Sequence, residues 1–398
     1  MATVVSSHVR ELFAERAQDV LPPIYNAARQ GHSSLISFTF GFADPALFPR
    51  EDLTAASAAV LATDADAALN YGMDFAELRH QIIARLHSQG VTADEENVLI
   101  SYGSSQLLAL LPRVFVDPGD VVIIEGPSFM GAVRSFADAG AHLITIPTDD
   151  SGLNLDALEK VLLELQQQQV RPKFIYTIPT FHNPTGTTMP LAHRKRLLAL
   201  SAAYNTLIVE DDPYRDLRFA GETLPTLASL DHDGRVIYIS SFSKILAPGL
   251  RMGWAYAHPA IIERLAMFKV EGSSGPFLTR MVANYCADGR LEKHIHKLTA
   301  HYQHKCQLML DAIGREFPPE VRVIRPEGGF YVWCELPQDI DVTRLLTLAE
   351  QRGSTFLPGT RCFANGQGHH AFRLTFSFLP SDQIDEGIAH IGVALREM

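Results

Sequence analysis

The sequence is short of several things, and each shortage excludes a class of protein. Nothing in its 398 residues is an apolar run of about 18, so no segment reads as a membrane span. The opening Met1-Ala2-Thr3-Val4-Val5 has no basic stretch leading into a long apolar one, so no secretory signal is expected. Positive charge is scarce: 34 Lys and Arg face 45 Asp and Glu, a formal net charge of -11, which argues against a nucleic-acid surface. The 4 cysteines, Cys286, Cys306, Cys334 and Cys362, are far apart and form no paired motif; they read as reduced thiols of a cytoplasmic protein. No solenoid-type repeat is visible.

What is present is an ordinary globular composition, 46% hydrophobic and 20% charged, in a chain long enough for a large core and a smaller lobe. Ser7 to Gln30 reads as an irregular helical arm broken by Pro22-Pro23. Leu35 to Phe42 reads as an apolar strand running into a glycine turn, followed by helices from about Asp52 to Leu61 and Phe75 to Ser88. Then strand-like runs alternate with helix-like segments: Val98-Leu99-Ile100, Val121 to Ile124, Leu143 to Ile146, Phe174 to Ile178, Leu207-Ile208-Val209 and Val236 to Ile239, with Met252 to Tyr256 as one more strand. This alternation predicts an α/β fold whose mostly parallel sheet is covered by helices on both faces. Beyond about Ile261 long helices take over, one from roughly Leu291 to Phe317. A hairpin-like stretch (Val321 to Leu336), short strands and a terminal helix from about Ser381 follow, which reads as a second, α+β domain. The expected division is 1–50 as arm and part of the small domain, 51–285 as the large domain and 286–398 as the small domain.

The chemistry centres on Ser241-Phe242-Ser243-Lys244, after the buried strand Val236 to Ile239. A lysine closing a strand is usually a solvated end. Here desolvating walls would lower its pKa and leave a usable amine nucleophile, while the two serines and Arg251 supply groups that hold a phosphate. Lysine plus phosphate clamp points to pyridoxal 5'-phosphate, an aldehyde that a lysine captures as a Schiff base. Other strand ends add to it. Gly103-Ser104-Ser105 opens a helix after the strand Leu99 to Ser101, where free amides and the dipole favour an anion; a plain serine cap is the bland reading. Phe129, after Val121 to Ile124, is placed to stack on a ring, although an isolated Phe is more often core. Asn183, in Asn-Pro-Thr-Gly, is a turn residue whose amide can donate to a phenolic oxygen. Asp211, in Glu210-Asp211-Asp212-Pro213-Tyr214, suits a pyridinium nitrogen, with Tyr214 beside Asn183; a metal cluster lacks histidine or cysteine partners.

Asn-Pro-Thr-Gly, Asp-Asp-Pro-Tyr and Ser-Phe-Ser-Lys with Arg251, in this order, resemble the class I/II aminotransferases of fold type I, the aspartate aminotransferase fold. The likeness is nearest to the branch of 2-aminoadipate aminotransferases and MocR catalytic domains, and runs from Ser37-Phe38 to Arg373. It implies Lys244 as Schiff-base lysine and proton shuttle, with Asp211 and Tyr214 as its catalytic partners. It also implies a phosphate cup of Gly103, Ser104, Ser105, Ser241, Ser243 and Arg251, and Arg373 as the grip on the substrate α-carboxylate. Tyr71 matches the tyrosine that reaches the neighbouring subunit's phosphate, which implies a homodimer with shared sites. The implied reaction moves an amino group from an amino acid to a 2-oxo acid in ping-pong order, without nucleic acid or membrane. The same site could serve a lyase, decarboxylase or oxidase. A ligand-sensing regulator on this body would need a DNA-binding domain, for which the arm before Leu35 is too short.

Departures bear on the substrate. Phe129 replaces the tyrosine common at the stacking position. Asp74-Phe75 stands where a Gly-aromatic pair is usual, and Phe40-Gly41 where many relatives have a glycine pair. Tyr25 falls near an arginine that holds a distal carboxylate in aminoadipate enzymes. Phe40, Phe42 and Tyr25, with Gly41 and Asn183 alongside, suggest an apolar or aromatic side-chain pocket. The histidines of the long helix, His294, His296, His301 and His304, are expected on a solvated face rather than at a metal.

Overall fold

The computed structural model describes residues 35–398 and Leu12, and the chain divides by contacts into Met1–Leu35 and Ile36–Met398; all that follows concerns the second unit. Tyr25 and the expected helical arm lie outside the described residues. A single short strand, β1 (Ile36–Ser37), comes first. Eight strands then form the main sheet: β2 (Val98–Ser101), β3 (Val121–Gly126), β4 (His142–Asp149), β5 (Gly152–Leu153), β6 (Phe174–Thr177), β7 (Leu207–Asp211), β8 (Val236–Ser241) and β9 (Gly253–Tyr256). Their order is β2-β9-β8-β7-β6-β3-β4-β5. Neighbours from β8 through β4 are parallel, and β9 runs antiparallel to both β8 and β2.

Residue pattern explains the layering. Every residue of β3, β6 and β8 is buried, as a parallel sheet covered on both faces requires. Alternation within each strand divides the core in two. Val122, Ile124, Phe174, Tyr176, Ile237 and Ile239 pack on one face with Leu107, Leu111 and Phe136. Ile123, Ile175, Ile208, Val236 and Tyr238 pack on the other with Leu158, Leu162 and Leu197. The helices Ser104–Phe115 and Leu155–Gln167 thus cover opposite faces.

A second sheet, β10 (Arg322–Ile324), β11 (Tyr331–Glu335), β13 (Leu357–Pro358) and β14 (Ala371–Thr375), is antiparallel in the order β10-β11-β14-β13. The remaining strand, β12 (Ser354–Thr355), pairs in parallel with β1. The helix Arg290–Glu316 and the C-terminal helix Ser381–Arg396 pack beside these strands.

Two expectations need correction. The apolar run from Leu35 is a strand only at Ile36–Ser37; beyond it the chain is an irregular strap, fixed at Phe38 by bonds to Thr355 O (2.8 Å) and from Thr375 N (3.1 Å). The histidine-bearing helix is not uniformly solvated. His294 is buried edge-on to Tyr285, and His301 meets Asp44, because both project from the packed face; His296 and His304 are exposed.

Candidate active site

The C-terminal ends of β2, β3, β6, β7 and β8 share one edge of the sheet, where open α/β sheets place their ligands. One rung orders that edge: Ser101 and Ser241 both lie opposite Gly253. The loops leaving β2 and β8 are therefore held on either side of one small residue. A Cβ at Gly253 would lie 2.8 Å from Gly103 C and Ser104 N, so only glycine admits this approach. Gly103 has φ 73°, outside the reach of ordinary side chains, and turns the chain into the helix Ser104–Phe115. Its first N–H groups lack helical acceptors and point at the edge. Ser241 Oγ donates to Met252 O (3.1 Å), accepts from Ser243 N (3.0 Å) and lies 2.8 Å from Ser243 Oγ. Arg251, in the left-handed region at φ 49°, donates Nη2 to Tyr102 O at 3.3 Å, and that guanidinium faces Gly103. Gly103, Ser104, Ser105, Ser241, Ser243 and Arg251 thus converge, and could hold a phosphate.

Lys244 Nζ donates to Gly41 O at 2.8 Å and stands 5.5 Å from the Phe330 ring centre and 5.8 Å from that of Tyr214. Burial, with the repulsion of Arg373 and Arg251, brings its amine down to about 8. Asp211 ends β7. Burial pushes its carboxyl up to about 7, against the bond that Oδ2 accepts from Tyr176 Oη at 2.7 Å. Oδ1 is buried and has no hydrogen-bond partner among the described residues. An orphaned carboxylate oxygen needs a donor, and a protonated ring nitrogen is one. With a phosphate site, a desolvated lysine and this oxygen on one edge, the residues fit pyridoxal phosphate.

Asn183 and Arg373 meet directly: Arg373 Nη1 donates to Asn183 Oδ1 at 2.8 Å, and Nη2 to Thr39 O at 2.5 Å. The guanidinium lies 4.3 Å from the Tyr331 ring centre. Nε is buried without a partner among the described residues. Two of the five N–H groups are thus used, and the rest suit a carboxylate. Tyr214 Oη lies 2.8 Å from Tyr331 Oη, and burial holds the Tyr214 phenol well above its ordinary pKa. Gly41 is a glycine for a steric reason: a Cβ there would sit 2.1 Å from Tyr331 Oη.

The other expected residues have contacts of their own. Phe129 is half-buried at the start of the helix Met130–Asp138, its ring close over Gly131. Tyr71 is fully exposed, flanked by Leu69 and Met73, 71% and 83% exposed. Phe40 stacks on Phe42 with ring centres 5.3 Å apart, and Phe42 meets Phe378 edge-on at 5.6 Å. Asp74 accepts from Ser274 N and from Lys269 Nζ (3.4 Å); Lys269, almost fully buried, also donates to Ile100 O at 2.9 Å. Among the described residues no group of three or more His, Cys, Asp or Glu could hold a metal ion.

Sequence reasoning missed Tyr176 and Tyr331. Each is a buried tyrosine on a strand, Tyr176 within β6 and Tyr331 at the start of β11, and a buried phenol needs a polar partner. That was the available signal. It also missed Glu125, which closes the loop beneath Asn183 by accepting from Thr177 Oγ1 (2.7 Å) and Ile178 N (2.9 Å), with His182 Nε2 3.0 Å away.

Residues 46–391 match the family described as aminotransferase class I and II. The chain is 37% identical over 370 residues to aromatic-amino-acid aminotransferase 1 of Thermococcus litoralis, covering 92% of this chain and 89% of that one. It is 38% identical over 369 residues to the 2-aminoadipate transaminase of Thermus thermophilus, covering 91% and 90%. Its fold superposes with a TM-score of 0.94 on a kynurenine aminotransferase of Pyrococcus horikoshii solved in complex with PMP, at 34% identity and 98% coverage of both chains.

Proposed function

The chain belongs to the class I and II aminotransferases, and from that premise we propose that it takes the amino group of an L-amino acid with an apolar or aromatic side chain and passes it to a 2-oxo acid, one product leaving before the second substrate enters. It is a pyridoxal-phosphate-dependent transaminase with an α/β fold of type I. When bound, the cofactor supplies an aldehyde for the amine and a protonated ring that takes up electrons from the substrate Cα.

The chain's own residues divide the remaining work. Lys244 Nζ, brought down to about 8 by burial, is neutral often enough near neutral pH to take the proton from Cα and return it one position away. Asp211 Oδ1 holds the proton on the ring nitrogen. Asn183 and Tyr214 orient the ring's phenolic oxygen, and Phe129 covers a ring face. Gly103, Ser104, Ser105, Ser241, Ser243 and Arg251 bind the phosphate. Arg373 grips the α-carboxylate with Nε and its remaining N–H groups.

The aromatic preference rests on Phe40, stacked on Phe42 and next to Gly41 and Thr39, whose carbonyls meet Lys244 and Arg373. A homodimer is proposed because Tyr71, the residue suited to a neighbour's phosphate, is fully exposed between exposed Leu69 and Met73. Small-molecule chemistry in the cytoplasm, without nucleic acid or membrane, completes the reading. No helix among the described residues is long and apolar enough to cross a membrane. The division at 51–285 and 286–398 remains our assignment of large and small domains.

The observation that carries the reading is the orphaned Asp211 Oδ1 on the same sheet edge as the desolvated Lys244. Absorbance of the purified holoenzyme, titrated with L-phenylalanine, L-tyrosine, L-leucine and L-2-aminoadipate without acceptor, tests it. Bleaching of the visible band with stoichiometric 2-oxo acid, strongest for the aromatic donors, is expected. Ammonia, phenol and pyruvate from L-tyrosine in place of its own 2-oxo acid would favour a lyase, and preference for 2-aminoadipate would overturn the pocket assignment.

A further inference from the structure

Two carbonyls of the strap between Phe38 and Asp44 hold the site's two central cations. Thr39 O accepts from Arg373 Nη2, and Gly41 O accepts from Lys244 Nζ. Among the described residues the strap has no sheet partners over this stretch, so something else must fix it. One end is tied at Phe38. The other is tied at Asp44, in a buried cluster that the proposed reaction does not use.

Asp44 is satisfied from every side. Its N–H donates to Tyr302 Oη at 3.0 Å, Oδ1 accepts from Ala46 N at 3.0 Å, and Oδ2 accepts from Lys305 Nζ and His301 Nε2, both at 3.0 Å. Lys305 is fully buried and also donates to Ser377 O at 2.8 Å. Ser377 Oγ in turn donates to Phe42 O at 2.7 Å. The result is a closed ring from Asp44 through Lys305 and Ser377 back to the strap, joining it to the helix Arg290–Glu316 and to the segment that leaves β14, the strand of Arg373.

We infer that Asp44, held by Lys305 and His301, is a positioning residue: it sets the strap so that Thr39 O orients Arg373 and Gly41 O holds Lys244. A buried ion pair adds little net stability over packed apolar groups, because both charges lose water; a fully bonded one does fix geometry. Burial alone would push the Asp44 carboxyl up, but the Ala46 N–H and Lys305 outweigh it and hold it below its ordinary range, so the carboxylate is charged at neutral pH. The inference rests on Arg373 as the carboxylate grip.

The test uses the full-length holoenzyme and 3-phenylpropanoate, a carboxylate with no amino group to react, with binding read by calorimetry. Asp44→Asn should weaken probe binding about tenfold and leave pyridoxal phosphate affinity within about twofold, since the phosphate loops lie elsewhere. Ser377→Ala keeps the ion pair and removes only the bond to Phe42 O; about a threefold loss is expected, and this variant decides the matter if Asp44→Asn does not fold. Wild-type probe affinity in folded Asp44→Asn or in Ser377→Ala, with only the denaturation midpoint lowered, would reduce the cluster to a structural role and overturn the inference. Arg373→Gln separates the two layers. If it binds the probe as wild type does, the grip assignment fails; if it loses the probe while the clasp variants keep it, the positioning role alone fails.

Discussion

Arg373 on β14 and Asn183 after β6 share a hydrogen bond of 2.8 Å, so the proposed carboxylate grip and the proposed phenolic-oxygen donor are parts of one unit. Asn183→Ala removes a donor to the ring and frees one arm of Arg373 together. Steady-state kinetics should show kcat/KM lower by about 100-fold or more, with both kcat and KM affected, since electrostatic and orienting contacts are lost at once.

Gly41→Ala brings a methyl carbon into Tyr331 Oη, against backbone that carries the acceptor of Lys244. The strap must shift, and misplacement by about 1 Å can cost about 100-fold in rate. Circular dichroism should remain that of the folded enzyme while turnover falls by that order. Near wild-type turnover would mean that the strap position is not critical.

Stability without cofactor should depend on pH through Asp211. Its folded carboxyl is raised to about 7 from an ordinary 3.8, so its contribution is fully present below about pH 4 and is lost as pH rises through 7. The loss is on the order of 2–4 kcal/mol for this group. Glu210 and Asp212, raised by burial to about 7 and about 6, act in the same sense. Urea unfolding of cofactor-free protein across this range should show falling stability. Asp211→Asn should flatten the slope without abolishing it, and should reduce activity of the loaded enzyme by at least about 100-fold.

Lys269→Met tests the pair that ties the Tyr71 loop to the end of β2. The substitution leaves Asp74 buried and uncompensated and strips a donor from Ile100 O. A loss of about 3–5 kcal/mol is expected, read as a lower urea midpoint at unchanged slope. Asp74→Asn/Lys269→Met should recover part of it.

Much of this was legible because strand ends punctuate the sequence. Val236 to Ile239 followed by Ser-Phe-Ser-Lys, and Leu207 to Val209 followed by Glu-Asp-Asp, name both the strand and what it presents. The strap was not legible. Phe38 to Phe42 has the composition of a strand, but its carbonyls are taken by Arg373 and Lys244, side chains hundreds of residues away that no local pattern reveals. His294 and His301 were misplaced for a related reason: lysine-rich surroundings suggest a wet face, while the helix turns its packed stripe through both.

Gly253 has a consequence for the order in which the protein becomes competent. β9 is the last strand of the main sheet to be synthesised, yet it occupies the gap between β2 and β8. A nascent chain ending just short of it already carries Lys244 and both serine loops, with nothing to space them. The proposed phosphate site therefore requires β9 in place, with Gly253 spacing the loops that leave β2 and β8.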